Sequence, residues 1–414
     1  MATFMEDFST SPPSSSSSSS PSSPSPTPSP SPTSAHTTSA TPLTIVVDTG
    51  SWNVRAGLSG PGKMPRVVRA DSDDFRWEIV TEGKWRLPIM LACGPDAAKH
   101  GLKSGPDRNL EMIWKCIILN VLKASPDQHP VLLVEDPTTT AEERKRSIEI
   151  MFEKLLVPGL FIATSPALSM HWTGQSTGVV VDCGHNSTNI VPFYHLQTLQ
   201  SQAKKLNYGG EDVTKYIKYQ LARRRKRRFT LRDNSPSAIE AARVIKHALL
   251  YRPRGAHSDR GPVEITPEDD AVWSLNEEKL LRFSPEFFTC TESLFRPFLF
   301  GKFVDGLHQE VRNVIESCPE EMWMDLYKNV LLCGSGSMFQ SLRDRFLIHI
   351  SRIETSCAEV NVATPDNREH SAWLGGSKLA SSAVFHDELL ASRLDYHECG
   401  DSVFQRSPRS SMFE

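Results

Sequence analysis

"VVVDCGHNSTNIVPF", residues 179–193, decides how the rest of this chain is read. Three valines run into Asp182, Gly184 bends the chain, and apolar residues resume at Ile190. That pattern predicts a β-branched strand, a tight turn and a second strand. A carboxylate at the mouth of such a turn can hold a metal ion through its waters, and successive backbone N–H groups in the turn can hold a phosphate. His185, in the same turn, suits neither job.

The pattern occurs twice. "LTIVVDTGSWNVRAGLSG", residues 43–60, is a β-branched run, the turn Asp48-Thr49-Gly50-Ser51, and a strand through Val54 and Leu58. Asp48 lies 134 positions before Asp182, which suggests a duplicated domain core. Helix signals fill the interval. Asp107 can cap a helix with Leu110, Ile113, Trp114, Ile117, Ile118 and Val121 on one face. "HPVLLVEDP", residues 129–137, reads as a short buried strand. Thr140 and Glu143 fit a capping box, with Ile148, Met151, Phe152 and Leu155 continuing that helix. Strands alternating with helices predict an α/β fold.

Three glycine-rich turns follow. Gly209-Gly210 opens a helix, Gly334–Ser337 links a strand to an amphipathic helix, and Gly375-Gly376 reads as one more turn into a helix. Ser237 and Glu240 fit another capping box, whose helix puts Arg243, Lys246 and His247 on one face. A glycine turn at a helix N-terminus lets an anion approach the backbone.

The bulk numbers set limits. At 414 residues the chain exceeds one ordinary domain, so two domains or a bilobed fold are expected. A net charge of -3 commits the molecule to neither nucleic acid nor membrane. None of the eight cysteines sits in a CxxC pair, which favours free thiols in a reducing compartment over a zinc or disulfide framework. The first residues, MATFMEDFST, do not read as a secretory signal, and no run reaches the 18 or so apolar residues of a membrane span. Residues 10–34 contain only Ser, Pro and Thr, so residues 1–41 are expected to be a disordered tail, either a spacer or a set of Ser-Pro phosphorylation sites.

The order of these pieces resembles the actin-like ATPase superfamily, and the details resemble actin. "STGVVVDCGHNSTNIVPFY", "YGGEDVTKYI", "SLFRPFLFG", "LYKNVLLCGSGSMFQSLRDR", "SAWLGGSKLASSAVF" and "LDYHECGDSVFQR" follow actin's order at nearly actin's spacing, over roughly residues 43–406. The resemblance implies two lobes with ribonuclease-H-like cores: a small lobe of residues 42–173 plus 371–414, and a large lobe of residues 174–370. It implies ATP or ADP with Mg2+ in the cleft, bound weakly or not at all. The first phosphate turn maps to Asp48, Gly50 and Ser51, with Arg55 where actins carry a Lys; the second maps to Asp182, Gly184 and Thr188. Asp48 and Asp182 would hold the metal through water. The nucleoside pocket maps to Gly210, Arg243, Lys246, Gly334, Ser335 and Met338.

Departures from actin gather in the chemistry. His185 stands where actins have a second Asp beside the metal, and Ser165 where they place the Gln that positions the attacking water. His247 replaces a Glu expected on the ribose, and Glu369 a Lys expected beside the base. Two readings follow: drift in a site that still holds nucleotide, or a cleft kept for structure without hydrolysis. The stretch matching actin's small-lobe tip, here about residues 71–99, is shorter than actin's, so robust self-polymerisation is not expected.

The functional expectation is a structural or assembly subunit of the cytoskeleton, cytoplasmic, with actin, other actin-related proteins or complex subunits as partners. The alternative is a nuclear actin-related subunit of a chromatin-remodelling complex. Its support is the basic run "RRRKRR", residues 223–228, which reads as a solvated helix end and loop, or else as an import signal or anionic docking patch. The run lacks interleaved aromatics, which argues against direct nucleic-acid binding. A sugar kinase or chaperone-type ATPase shares the superfamily core but not the actin-like C-terminal motif.

Overall fold

In the fold, Asp48 and Asp182 end equivalent strands of two sheets. The structure is a computed structural model. It describes residues 43–70, 77–81, 84–89, 106–223, 239, 242, 243, 245, 246, 272–274, 280–282, 290–339, 342–353, 359–405 and 413. The serine- and proline-rich tail, the capping box at Ser237, His247, residues 224–228 of the basic run and most of the tip at 71–99 lie outside the described residues.

The first sheet contains β1 (Ile45–Thr49), β2 (Asn53–Leu58), β3 (Arg66–Ala70), β4 (Trp77–Thr81), β5 (Lys84–Ile89), β6 (Val131–Glu135) and β7 (Gly159–Thr164). The second contains β8 (Gly178–Cys183), β9 (Thr188–Tyr194), β10 (Gln197–Thr198), β11 (Lys204–Leu206), and, beyond the two-stranded ribbon β12 (Val272–Ser274) and β13 (Leu280–Arg282), β14 (Val330–Cys333) and β15 (Val362–Ala363). A last strand, β16 (Ala391–Ser392), returns to the edge of β7. In the first sheet β1 pairs antiparallel with β2 and parallel with β6, which pairs parallel with β7. In the second, β8 pairs antiparallel with β9 and parallel with β14, which pairs parallel with β15. The two cores are therefore copies, as the repeated Asp-Gly hairpin predicts.

The strands form where the sequence is apolar without alternation. Val131 to Val134 and Val179 to Val181 are all buried, the mark of parallel strands covered on both faces. Helices α1 (Pro106–Cys116) and α2 (Ala141–Glu149) cover the outer face of the first sheet. Asp107 falls inside α1 rather than before it. The Thr140–Glu143 capping box forms as expected, and Ile148, Met151, Phe152 and Leu155 are buried. Helices α4 (Gly210–Arg223), α5 (Leu307–Glu316), α6 (Glu320–Lys328) and α7 (Leu342–Ile353) belong with the second sheet, whose outer core holds Tyr208, Val314, Tyr327 and Phe346.

Between the sheets run two helices, α3 (Ser165–Thr173) and α8 (Ser371–Ala380). They share one core with both sheets, in which Leu168 and the fully buried Trp373 meet Val46 and Leu132 on one side and Val180 and Leu331 on the other. The Trp373 indole donates to the Val46 carbonyl at 3.0 Å. Here the sequence reading needs correction. Gly375 and Gly376 lie inside α8, not in a turn before it. A Cβ on Gly375 would stand 1.9 Å from the Leu168 carbonyl oxygen, so this glycine serves the crossing of two helices. Residues 42–414 make one compact unit. Among the described residues no helix is long and apolar enough to cross a membrane.

Candidate functional site

The first hairpin is built by β1 and β2 in a register that sets Asp48 directly opposite Arg55. The Arg55 guanidinium donates to Asp48 at 3.0 Å, and both side chains are buried. At the tip, the Gly50 N–H donates to the Asn53 carbonyl at 3.0 Å, closing the turn on itself. The Trp114 indole in α1 donates to the Thr49 hydroxyl at 2.9 Å, tying the hairpin to the helix outside it.

The second hairpin repeats the geometry. The Gly184 N–H donates to the Ser187 carbonyl at 2.9 Å. The Thr188 hydroxyl donates to the Tyr208 carbonyl, so this candidate phosphate contact is spent on the fold. The Gly210 N–H donates to the Gly184 carbonyl at 3.0 Å, and the buried Lys246 ammonium donates to the Gly210 carbonyl at 3.0 Å. Gly334, with φ of +82°, presses on the same hairpin: a Cβ there would meet an Asp182 carboxylate oxygen at 2.4 Å. Its glycine is required by backbone conformation and by this contact together.

Between the hairpins lies a cavity of about 600 Å³, within the size range of small-molecule sites. It brings together Asp48, Gly50, Ser51, Arg55, Asp182, Gly184, Gly334 and Ser335, together with Ser165, His185 and Glu369. Arg243 lines a second cavity of about 470 Å³, which Ser51 and His185 share. Thr188, Gly210 and Lys246 stand behind the second hairpin as described, and Met338 packs against the outer core of the second sheet.

Electrostatics in the larger cavity are acidic. Burial pushes the Asp48 carboxyl up from its ordinary value, and Arg55 opposes this. Burial also raises Asp182; the Ser165 hydroxyl, donating at 2.7 Å, opposes it, and the nearby charge of Asp48 adds to it. Asp136 goes the other way. Burial acts against its charge, but Thr138, Lys205 and Asn189 donate to it and hold the carboxyl low. Four residues that matter here carry little or no signal in the sequence. Asp136, Asn189 and Lys205 line the cavity, and Trp52, at the tip of the first hairpin, stacks on His185. A large ring in a glycine-serine turn was the one local signal available; the other three carry none.

A sequence model of the actin family matches residues 40–408, nearly the whole chain. The chain belongs to the actin family. It is also similar to a protein described as actin-like from Neurospora crassa, 28% identical over 378 residues, which covers 87% of this chain and 96% of the relative. The α/β two-lobe architecture is that of the family. Actins in general bind ATP or ADP with Mg2+.

This actin-family cleft offers that ligand both fitting and opposing groups. Asp48, Glu135, Asp136, Asp182 and Glu369 line it against Arg55 and Lys205. Arg55 donates to Asp48 at 3.0 Å and Lys205 to Asp136 at 3.1 Å, while Arg55 Nε is a buried donor with no hydrogen-bond partner. Glu135 is paired with Arg144, Asp48 and Asp182 suit the waters of a divalent ion, and Lys215, Arg243 and Lys302 line the adjoining cavity. Asn189 Oδ1 and Glu369 Oε2 are buried acceptors without a hydrogen-bond partner; phosphate oxygens, acceptors themselves, cannot satisfy them, whereas metal-bound water or a hydroxyl can.

Several imidazoles of this actin-family chain are buried neutral, with a consequence for acid stability. Burial holds His185 down, the Lys246 charge adds to this, and Glu211 opposes it. Burial also lowers His308 to about 4 and His370 to about 3, against an ordinary value of 6.5. Below pH 6.5 the unfolded chain takes up protons that the folded chain refuses until about pH 4 and 3. Stability therefore falls as pH drops through that window. Asp48 and Asp182, raised in the fold, act in the opposite sense and blunt the loss. The urea midpoint is expected to be lower at pH 5 than at pH 7, and His370→Asn should flatten the slope. A wild-type midpoint that does not change with pH would contradict neutral burial.

Proposed function

We propose that this chain is a structural or assembly subunit of the cytoskeleton, in the cytoplasm, whose cleft hydrolyses ATP very slowly or not at all. One observation carries the reading on hydrolysis. By the resemblance to actin, Ser165 stands where actins place the glutamine that positions the attacking water, and its hydroxyl donates to Asp182 at 2.7 Å. In-line attack depends on a held and oriented water, and a short hydroxyl already bound to a carboxylate is poorly placed to hold one. Membership of the actin family supports the assembly role. Partners of matching chemistry are actin, other actin-related proteins or subunits of a shared complex.

The test is phosphate release and sedimentation with MgATP under actin-assembly conditions, beside a conventional actin. Phosphate release near background and no pelletable filaments are expected. Actin-like turnover or abundant filaments from the pure protein would refute the proposal. The basic run at residues 223–228 favours a second reading, a nuclear subunit of a chromatin-remodelling complex. Imaging the chain before and after neutralising that run separates the two: nuclear signal lost on neutralisation supports the second.

A further inference from the structure

Trp52 crosses from one sheet's hairpin to the other's. It stands between β1 and β2, and its ring stacks on His185, between β8 and β9, with centroids 4.7 Å apart and planes at 25°. The Arg243 guanidinium lies over the same indole, 4.2 Å from the ring centroid. The His185 ring is fixed in turn, its Nε2–H donating to the Glu211 carboxylate at 2.7 Å. Glu211 belongs to the first turn of α4. One side chain of the first sheet's lobe thus engages a ring, a cation and, through that ring, a carboxylate of the other lobe.

Offset rings at this distance attract, and a guanidinium on an indole adds cation–π attraction. Deeper between the hairpins Ser165 donates to Asp182 and Lys205 pairs with Asp136, but one like-charge pair opposes closure. Asp48 and Asp182 face a common cavity, and the first raises the proton affinity of the second. An attractive contact at the tips offsets that repulsion, and every group in it comes from the chain itself.

We infer that Trp52, His185 and Arg243 form a latch that joins the two lobes without nucleotide, and that the Trp52 ring keeps nucleotides from the phosphate turns. The inference rests on the reading above only in taking the ATP chemistry of the cleft as weak. It assigns the residues that stand in place of a ligand, and it identifies Trp52 as the residue that excludes one.

The test compares wild type, Trp52→Ala, Trp52→Phe and His185→Ala by thermal melting, each stripped of nucleotide and with MgATP, and by titration with a fluorescent ATP analogue. Wild type should melt at the same temperature with and without MgATP. Trp52→Ala should melt about 2 °C lower without nucleotide and bind the analogue at least about tenfold more tightly than wild type. Trp52→Phe keeps a ring on His185 and should lie between them. His185→Ala removes the partner ring from the other lobe and serves the same purpose if Trp52→Ala does not fold. The latch is overturned if both alanine variants melt with wild type, or if MgATP raises the wild-type melting temperature. Actin-like phosphate release by a wild type whose melting temperature ignores nucleotide would count against the proposed function alone.

Discussion

Adding a single methyl group at Gly375 is expected to cost this protein on the order of 3 kcal/mol, the upper end for overpacking a core. Local reasoning gives the opposite sign. Gly375 lies within α8, where alanine is intrinsically better than glycine by about 1 kcal/mol. Space decides against it. The new Cβ would fall 1.9 Å from the Leu168 carbonyl oxygen and 2.6 Å from its carbon, both backbone atoms of α3. Neither can swing aside as a side-chain end would, so the two helices must part. They share the core that joins both sheets, and the change spreads through Trp373 and Leu132. Gly174→Ala is the control: its φ is +72° but nothing stands within 4 Å of the added atom. It should cost only the backbone strain, about 1 kcal/mol. Urea midpoints of the two variants check this, and a neutral or stabilised Gly375→Ala would show that α3 and α8 do not cross this closely.

Arg55→Met is expected to be nearly as damaging, by about 3 kcal/mol or more, because it strands a buried charge. Asp48 would keep its burial and lose its partner, with Asp182 already raising the local negative potential. Asp48→Asn should cost much less. It leaves Arg55 a neutral acceptor in a cavity still lined by Asp136 and Asp182, and it relieves Asp182 of a like charge. The double variant should recover most of the Arg55→Met loss, and Arg55→Lys, which keeps the charge, should stay within about 1 kcal/mol of wild type. Unfolding free energies of the four proteins at pH 7 form the cycle. Equal losses in Arg55→Lys and Arg55→Met would move the explanation from charge to packing.

Both predictions mark where sequence reading stops. The hairpins were legible because each is written in adjacent residues: a β-branched run, an Asp, a Gly, and a second run. The capping box at Thr140 and Glu143 was legible for the same reason. So was the repeat, since two copies of one local pattern need no knowledge of how they pack. Gly375-Gly376 reads as a turn because two glycines in a row look so locally, whereas the contacts come from afar: the Leu168 backbone meets Gly375, and Val46 and Leu132 meet Gly376. Thr188 and Lys246 sit near the second hairpin, yet their polar atoms are bonded to Tyr208 and Gly210, which no spacing rule reveals.

By itself, then, the sequence determined the α/β class, the duplicated core, both Asp-Gly turns, and the unusual His185 and Ser165. Strand and turn formation follow from neighbouring residues, and those are all in view. Only the tertiary structure decided what the turns face. It set Asp48 against Arg55, Ser165 against Asp182, and Trp52 against His185 and Arg243. The physical reason is that charge balance and free space in a cleft are sums over segments far apart in the chain. Two sheets packed on a pair of crossing helices bring those segments together, and no one segment carries the result.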